Sequence, residues 1–397
     1  MADFDIAIIG GGPAGATLAR LLDKRFRVLL IDGKSDAPES FHKPCGGLLS
    51  PDAQKAFAEF DLTLPKDILV DPQIFSVRTI DLGKRLERHY QRFYINLDRH
   101  RFDLWLKSLV PQNVAQFNGK CLKITADGDF SLFCKSGSGE RVFTAEKIVG
   151  ADGANSIVRR FLYPKKKIRS YTAIQQWFPE SSAKPFYSCI FDPETSDCCS
   201  WTISKDNFLI YGGAFPAKKC REAFERQKKR LEDYGICLGE PIKTEACVVL
   251  RPKSPFDICA GKNGAFLIGE AAGLISPSSL EGISFAVNSA KYLAKALNGE
   301  KNENKRYSKK LFGYRVKILS KLMKCPFMYS PILRRMVMKS GLKSIKISKE
   351  TNIIKGKNGG NYGENYDFGL RLRHGSRCSL YNLRSRCDNL DKIRTGG

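Results

Sequence analysis

An apolar segment near the start of the chain runs directly into a glycine-rich turn and then into a helical pattern. Residues 5–9 read Asp-Ile-Ala-Ile-Ile, and residues 10–15 read Gly-Gly-Gly-Pro-Ala-Gly, which contains the spacing G-x-G-x-x-G. In this spacing Gly10 permits a tight turn, Gly12 lets the backbone approach a pyrophosphate, and Gly15 lets the helix pack closely on its strand. The helix N-terminus offers free N–H groups and a positive dipole end to phosphates. The pattern predicts a dinucleotide-binding unit; the alternative is an ordinary glycine-rich turn.

The residues that follow have the remaining features of such a unit. A helix is predicted from Ala14 to Leu22 and a second strand from Arg27 to Ile31, which ends at Asp32. Asp32 lies 22 residues after Gly10, the distance at which an acidic side chain accepts hydrogen bonds from the ribose of an adenosine. The unit alone does not separate NAD from FAD, so the choice depends on later segments.

Two later segments would return the chain to the same cleft, and both favour FAD. In the first, a predicted strand is followed by Asp152 and Gly153 and then by a helical pattern. An acid at such a strand end can orient a flavin by hydrogen bonding, although Asp and Gly are also common in capped turns. In the second, the strand predicted at 264–268 stops at Gly269 and Glu270. The small residues after Glu270 would let a ribityl chain approach closely.

Three longer strings carry a family resemblance. Residues 43–49 read Lys-Pro-Cys-Gly-Gly-Leu-Leu, residues 173–178 read Ala-Ile-Gln-Gln-Trp-Phe, and residues 278–284 read Ser-Ser-Leu-Glu-Gly-Ile-Ser. From Asp3 to Lys349 the chain resembles FAD-dependent oxidoreductases of the geranylgeranyl reductase family, which have the p-hydroxybenzoate hydroxylase-type fold. Within that family it is very similar to the bacterial CbrA-like branch. The resemblance implies an α/β (α+β) fold with a Rossmann-type FAD-binding lobe, an inserted antiparallel β-sheet substrate lobe and a C-terminal helical segment.

The resemblance also implies which residues hold FAD. The ADP half would be held by the glycine turn and Asp32, and Arg99 would contact the cofactor. Glu270 stands where the family has Asp, and its extra methylene keeps the charge and the acceptor. The implied cofactor-binding residues are Gly10, Gly12, Ala14, Gly15, Asp32, Cys45, Gly46, Gly47, Arg99, Asp152, Gly153, Gly269, Glu270 and Gly282.

Cys45 and Trp201 are the two candidate catalytic residues. Cys45 lies in a Pro- and Gly-containing loop, and the matching cysteine of similar reductases lies near the flavin; the alternative is a small buried hydrophobic side chain. Trp201 stands where prenyl reductases have Tyr-x-Trp-x-Phe-Pro, but Cys199 replaces the Tyr and Ile203-Ser204 replaces the Phe-Pro. This departure concerns the prenyl substrate and not the flavin fold.

Other aromatic residues lie in the segment 170–249, whose short β-branched and aromatic runs predict an antiparallel sheet over the flavin. Each of them is expected either to line an apolar pocket or to belong to the core. They are Trp177, Tyr187, Tyr211 and Phe215.

Four segments are predicted along the chain. Residues 1–169 and 250–300 would form a discontinuous FAD-binding lobe, and residues 170–249 the β-sheet substrate lobe. Residues 301–349 would form a basic amphipathic helical segment. Residues 350–397 are rich in Asn, Gly, Arg and Ser without periodicity, which is typical of a disordered tail.

The positive charge of the chain is concentrated near its C-terminus. The net charge is +25, and the last 97 residues hold 24 Lys/Arg against 6 Asp/Glu. Between Tyr307 and Ile347 the basic residues alternate with apolar ones, which suits an anionic membrane surface. The alternative is a helical lid with a solvated basic face. No nucleic-acid-binding motif is present, so nucleic acid is not an expected partner.

Cysteine content and hydropathy bear on the cellular compartment. The 13 cysteines show no C-x-x-C pairs, and no His lies at ligand spacing, so we expect reduced thiols and no metal site. No leader pattern is visible, and no apolar run approaches the length of a spanning helix. These features predict a cytoplasmic protein, either free or peripheral on the inner face of the membrane.

The residues and the resemblance together predict an FAD-dependent oxidoreductase. The leading hypothesis is a reductase that passes hydride or electrons from reduced FAD to a hydrophobic substrate, such as an isoprenoid or another lipid. The alternatives are a monooxygenase or halogenase of the same fold, and a membrane-associated protein that binds FAD without turnover. The electron donor stays open between NAD(P)H and a ferredoxin-type protein.

Overall fold

A computed structural model describes residues 2–35, 37, 42–180, 186–299 and 302–347. The chain divides into two units, Met1–Ile347 and Ser348–Gly397. The predicted tail at 350–397 lies outside the described residues.

The strands and helices are numbered in chain order. The strands are β1 Phe4–Ile9, β2 Val28–Ile31, β3 Leu48–Leu49, β4 Ile74–Asp81, β5 Leu86–Asn96, β6 Ala115–Phe117, β7 Lys120–Asp127, β8 Asp129–Ser136, β9 Gly139–Gly150, β10 Ser170–Pro179, β11 Phe186–Phe191, β12 Cys199–Lys205, β13 Phe208–Phe215, β14 Lys243–Leu250, β15 Gly261–Lys262, β16 Ala265–Leu267 and β17 Ser344–Ile345. The α-helices are α1 Pro13–Leu21, α2 Pro51–Ala58, α3 Arg99–Ser108, α4 Ile157–Leu162, α5 Cys220–Tyr234, α6 Ile283–Leu297, α7 Glu303–Tyr329 and α8 Pro331–Ser340.

The first sheet has the order β15-β16-β9-β1-β2-β6, and β7 and β8 extend it beside β9. The pairs β1–β2, β1–β9, β9–β16 and β2–β6 are parallel. The central strands are continuous apolar runs, as expected where both faces of a parallel sheet are covered. Helices α1 and α6 pack together beside this sheet and contribute to its core. The predicted strand-turn-helix-strand order at the N-terminus is confirmed.

The second sheet has the order β14-β10-β13-β12-β11-β4-β5-β17. Its neighbours are antiparallel except for β11 and β4, which pair in parallel from Phe186 opposite Ser76 to Phe191 opposite Asp81. Thus β4 and β5, which the sequence analysis assigned to the FAD-binding lobe, belong to the same sheet as residues 170–249. Chain position could not show this pairing, because it joins residues more than 100 positions apart. The two sheets with their helices confirm the predicted fold class.

The predicted helical segment at 301–349 contains α7 and α8. Tyr307 near the start of α7 donates a hydrogen bond to the carbonyl of Leu267 in the first sheet, at 2.7 Å. At the other end of α7, Tyr329 packs against Phe191 of the second sheet. Helix α8 begins at Pro331, a residue suited to the first turn of a helix. Among the residues that the structure describes, every helix is too short or too polar to cross a bilayer.

Candidate active site

The glycine turn between β1 and α1 is tightly packed at two positions and open at a third. Gly10 has a φ of +102°, and a Cβ on it would lie 2.6 Å from the carbonyl oxygen of Ala151. A Cβ on Gly15 would lie 1.8 Å from the carbonyl oxygen of Gly10, so only glycine fits there. A Cβ on Gly12 would instead meet only Lys34 Nζ, at 3.5 Å. The turn therefore leaves its backbone accessible at Gly12, where the sequence analysis expects a pyrophosphate.

Asp32 lies beside this turn at the end of β2. Its Oδ2 accepts a hydrogen bond from the backbone N–H of Lys34 at 3.2 Å and lies 3.5 Å from Lys107 Nζ. A Cβ on Gly11 would lie 2.8 Å from Cγ of Asp32. The carboxylate is thus next to the glycine turn, as its predicted contact with an adenosine ribose requires.

Two cations share one buried carboxylate at the same turn. Asp103 of α3 accepts hydrogen bonds from Arg99 Nε at 2.9 Å and from Lys34 Nζ at 2.5 Å. Burial of Asp103 opposes its ionisation, but Arg99 and Lys34 outweigh that effect and lower its pKa to about 2. Arg99 was predicted from the sequence, whereas Lys34 and Asp103 were not. The spacing of four residues between Arg99 and Asp103 on one helix was a signal that could have found the carboxylate.

Asp152 follows β9 and has one carboxylate oxygen without a partner. Its Oδ2 accepts the backbone N–H of Ile157 at 2.7 Å. Its Oδ1 is buried and accepts no hydrogen bond from the described part of the chain. Burial raises the pKa of Asp152 despite its hydrogen bonds to Ser156 and Ile157. A buried acceptor without a donor is expensive unless a ligand or water supplies one.

Glu270 brings the last predicted segment to the same end of the sheet. Its Oε1 accepts the backbone N–H of Leu250 at 2.9 Å, and its Oε2 pairs with Lys43 Nζ at 2.6 Å. A Cβ on Gly153 would lie 3.9 Å from Glu270 Oε2, and one on Gly269 would lie 3.1 Å from Ala14 Cβ. Burial lowers the pKa of Lys43, but Glu270 outweighs this and the net pKa is raised. The glycine turn, the Asp-Gly turn and the Gly-Glu turn therefore meet.

The loop that contains Cys45 packs between this region and β12. The half-buried Cys45 accepts the backbone N–H of Gly47 on its Sγ at 3.4 Å, and its thiol interacts with the Arg99 guanidinium. A Cβ on Gly46 would lie 2.7 Å from Cδ1 of Ile203. One on Gly47 would lie 2.3 Å from the carbonyl oxygen of Leu97. The backbone contact and the φ of +60° make glycine necessary at Gly47, whereas at Gly46 only the end of the Ile203 side chain would have to shift.

Lys205, at the end of β12, is a buried lysine that the sequence analysis missed. Its Nζ donates to Asn96 Oδ1 at 2.6 Å and to the carbonyl of Leu97 at 2.8 Å, both of which are uncharged acceptors. A Cβ on Gly47 would lie 2.7 Å from this Nζ. Burial lowers the pKa of Lys205 to about 8, and the nearby Cys45 and Asp98 oppose that shift only in part. The sequence pattern could have found Lys205, because side chains alternate along a strand and Lys205 lies on the same face of β12 as Trp201 and Ile203.

Trp201 belongs to an aromatic cluster on the inner face of the second sheet. Its indole packs over Gly212, where a Cβ would lie 2.7 Å from the ring, and its Nε1 is buried without a hydrogen-bond partner among the described residues. Tyr94 and Tyr187 meet edge to face at 5.8 Å in the same cluster, and Tyr329 of α7 joins it. Together Tyr94, Tyr187, Trp201 and Tyr329 form the Trp201 cluster, which is an aromatic wall.

The other aromatic candidates separate from this wall. Tyr211 and Phe215 are fully buried against Phe224 of α5, so they are core residues, one of the two alternatives for them. Trp177 donates its Nε1–H to Glu245 Oε2 at 2.9 Å and takes no part in the cluster. Of the five aromatic candidates, only Tyr187 and Trp201 belong to this wall.

Gly282 stands at the N-terminus of α6. Leu280, two residues earlier, packs against the Trp201 cluster and has a φ of +56°. Glu281 accepts the backbone N–H of Ser284 at 2.8 Å, and burial raises its pKa. The binding and catalytic roles of all these residues stay predictions. Within the described ranges, no three His, Cys, Asp or Glu side chains come together as metal ligands would.

Comparison with solved structures identifies the fold. A geranylgeranyl bacteriochlorophyll reductase-like protein from Thermoplasma acidophilum superposes with a TM-score of 0.71 at 18% identity, over 84% of this chain and 90% of that chain. A probable FAD-dependent monooxygenase from Pseudomonas aeruginosa superposes with a TM-score of 0.60 at 18% identity, over 85% and 99% of the two chains. At these identities the likeness shows the fold alone.

Comparison with curated proteins identifies the family. No protein-family model matches the chain. Protein CbrA of Escherichia coli O9:H4 (strain HS) is 47% identical over 354 residues, which cover 88% of this chain and 97% of that protein. An identity of this size over nearly the whole relative confirms the CbrA-like resemblance seen in the sequence. The chain therefore belongs to the CbrA family.

Proposed function

We propose that this protein is an FAD-dependent oxidoreductase. The observation that carries the proposal is the meeting of three turns, around Gly12, Asp152 and Glu270, at one end of the first sheet. The buried Asp152 Oδ1 without a donor and the open backbone at Gly12 fit a cofactor that brings hydroxyl groups and a pyrophosphate. Ligands of α/β folds bind at the carboxyl ends of parallel strands, which is where these turns lie.

Each part of the site has a defined task in this proposal. Asp32 would bind the adenosine ribose, and Lys34 with Arg99 would neutralise the pyrophosphate near Gly12. Asp152 would accept a hydrogen bond from the middle of the cofactor. When bound, FAD supplies hydride or electron transfer, so the protein needs only to bind, orient and exclude water. Residues 1–169 and 250–300, apart from β4 and β5, would carry the cofactor on the first sheet. Residues 170–249 together with β4 and β5 would carry the substrate on the second sheet.

We propose a reductase that acts on a hydrophobic substrate, with an isoprenoid or another lipid as the substrate class. The wall formed by Tyr94, Tyr187 and Trp201 supports a largely apolar ligand, because these large aromatic side chains pack against one hydrophobic cluster. The solved neighbour described as geranylgeranyl bacteriochlorophyll reductase-like is in keeping with this class. Cys45 and Lys205 would lie on the reacting side of the cofactor, where Lys205 Nζ can give up a proton near pH 8. The electron donor would be NAD(P)H or a ferredoxin-type protein.

The second candidate is a monooxygenase of the same fold. It is favoured by the departures at Cys199 and Ile203 from the prenyl-reductase pattern and by the solved neighbour described as a probable FAD-dependent monooxygenase. A third candidate binds FAD without turnover. Consumption of oxygen that depends on substrate would separate the monooxygenase from the other two.

We further propose that the protein works in the cytoplasm at the inner surface of the membrane. The basic C-terminal helices and the hydrophobic substrate class support this location. A lipid substrate is concentrated in the bilayer, so an enzyme on its surface would meet that substrate more often.

The testing experiment is an anaerobic reductive titration of the purified protein. Bleached flavin that regains its absorbance with extracted membrane lipids, without oxygen, would support the reductase. Recovery with air alone would contradict the reductase and favour the monooxygenase or the protein without turnover. A colourless protein that takes up no FAD would contradict the whole proposal.

A further inference from the structure

Helix α7 has two apolar faces, and only one of them is buried. Tyr307, Leu311, Tyr314 and Ile318 face the body of the protein at spacings of four, three and four residues. A second row at spacings of four, three, four and four residues is 49–67% exposed. This exposed row consists of Phe312, Val316, Leu319, Met323 and Phe327. Burying the first row already fixes the helix, so the exposed row has no role in that packing.

Helix α8 repeats the arrangement on a smaller scale. Ile332 and Met336 are 73% and 63% exposed. Arg334 and Met338, on the opposite side of the helix, are buried, and Arg334 Nε pairs with Asp81 Oδ2 of the second sheet at 2.8 Å. The ion pair holds α8 with Ile332 and Met336 turned to solvent. Adjacent large apolar side chains exposed in this way are typical of an interaction surface.

The charges around this surface select its partner. Residues 304–349 contain 14 Lys/Arg and no Asp or Glu. Lys309, Lys324, Arg335 and Lys339 are exposed on the two helices. A second copy of the chain would bring the same positive charge against this surface, so charge repulsion disfavours it. The segment 351–397 is disfavoured for the same reason, because it carries nine Lys/Arg against four Asp/Glu. An anionic phospholipid surface is the partner that both the charge and the apolar rows fit.

We propose that the exposed rows of α7 and α8 dock onto an anionic lipid bilayer and insert their apolar side chains at its surface. The inference rests on the proposed membrane location and deepens it by naming the docking surface. The last turn of α7 also connects this surface to the candidate substrate site, because Phe327 is exposed while the adjacent Met328 and Tyr329 pack against the Trp201 cluster. A lipid would thus reach the aromatic wall from the side of α7 that faces the bilayer.

The test uses the full chain with its flavin and sucrose-loaded vesicles of phosphatidylcholine with or without phosphatidylglycerol. The variant F312Q/M323Q/F327Q replaces three of the five apolar residues of the exposed row with a good helix former. The control variant I242Q/F256Q changes two exposed apolar residues outside α7 and α8. A second variant, K324E/R335E, reverses two charges on the surface and leaves the apolar rows intact.

We expect wild type and I242Q/F256Q to sediment with phosphatidylglycerol vesicles, and the triple variant to bind at least about tenfold more weakly. The charge variant should prefer phosphatidylglycerol less strongly than wild type does, and salt should weaken wild-type binding. Wild-type protein that does not sediment with these vesicles, or a triple variant that binds like wild type, would overturn the inference. A wild-type dimer that the triple variant abolishes would also overturn the inference, because a second copy of the chain would then occupy the surface. Flavin absorbance in the same samples tests FAD binding separately.

Discussion

Lys34 Nζ lies 2.5 Å from Oδ2 of Asp103 and is also the nearest side-chain atom to the open position at Gly12. Asp103 therefore holds a cation at the place where the proposed pyrophosphate would lie. Arg99 Nε donates to Oδ1 of the same carboxylate, because the two residues lie four positions apart on α3. The arrangement keeps two positive charges in a buried region without leaving either unpaired.

The first prediction is that Asp103→Asn destabilises the protein. Lys34 and Arg99 would remain buried without a countercharge, so the free energy of unfolding should fall by about 3 kcal/mol. The measurement is urea denaturation at neutral pH. The exposed Asp67→Asn is the control and should behave like wild type.

The same variant has a defined pH dependence. The pKa of Asp103 is lowered from 3.8 to about 2, so its stabilising contribution is complete above about pH 4 and is lost as the pH falls towards 2. Between pH 4 and 2, wild type should lose more stability than Asp103→Asn. Parallel curves for the two proteins would show that the carboxylate is not held by its cations.

The second prediction separates FAD binding from folding at the glycine turn. A Cβ on Gly12 has space in the folded protein, whereas a Cβ on Gly15 would clash with the backbone of Gly10. Gly12→Ala should therefore change the free energy of unfolding of the apoprotein by no more than about 1 kcal/mol and still lower flavin retention at least about tenfold. Gly15→Ala should unfold the turn region. Normal flavin content in Gly12→Ala would contradict the proposed pyrophosphate site.

The third prediction concerns Cys45. Its thiol interacts with Arg99 beside the proposed cofactor, so Cys45→Ser should leave the flavin bound and alter turnover. The matched control is Cys237→Ser, because Cys237 is exposed and lies outside the site. Steady-state turnover and flavin absorbance are measured on both variants. Equal turnover in the two would show that Cys45 acts only as a small packing residue.

The sequence could predict the part of the site that consists of strand ends. Gly10, Asp32, Asp152 and Glu270 each follow an apolar strand of the first sheet, and parallel strands bring their carboxyl ends together. Local spacing on α3 also contained the pair of Arg99 with Asp103. These features depend on short stretches of chain whose patterns are strong.

Packing between distant segments produced the rest. Lys43 and Glu270 are 227 residues apart, and Lys205 and Asn96 are 109 residues apart. No local pattern relates such partners, because the choice of partner is made only when the two sheets pack. The parallel pairing of β11 with β4 has the same origin, and it extends the substrate-lobe sheet beyond the segment 170–249.

The last prediction is that Lys205 makes turnover depend on pH. Its ammonium is buried, its pKa is lowered from 10.5 to about 8, and Gly47 of the Cys45 loop lies next to it. A proton donor must be protonated, so turnover should fall as the pH rises through about 8. Lys205→Met should remove this alkaline limb, and Lys205→Arg should move it to higher pH because a guanidinium holds its proton more strongly. The exposed Lys66→Met serves as the control. An alkaline limb unchanged in Lys205→Met, with normal flavin content, would assign the proton transfer to another group.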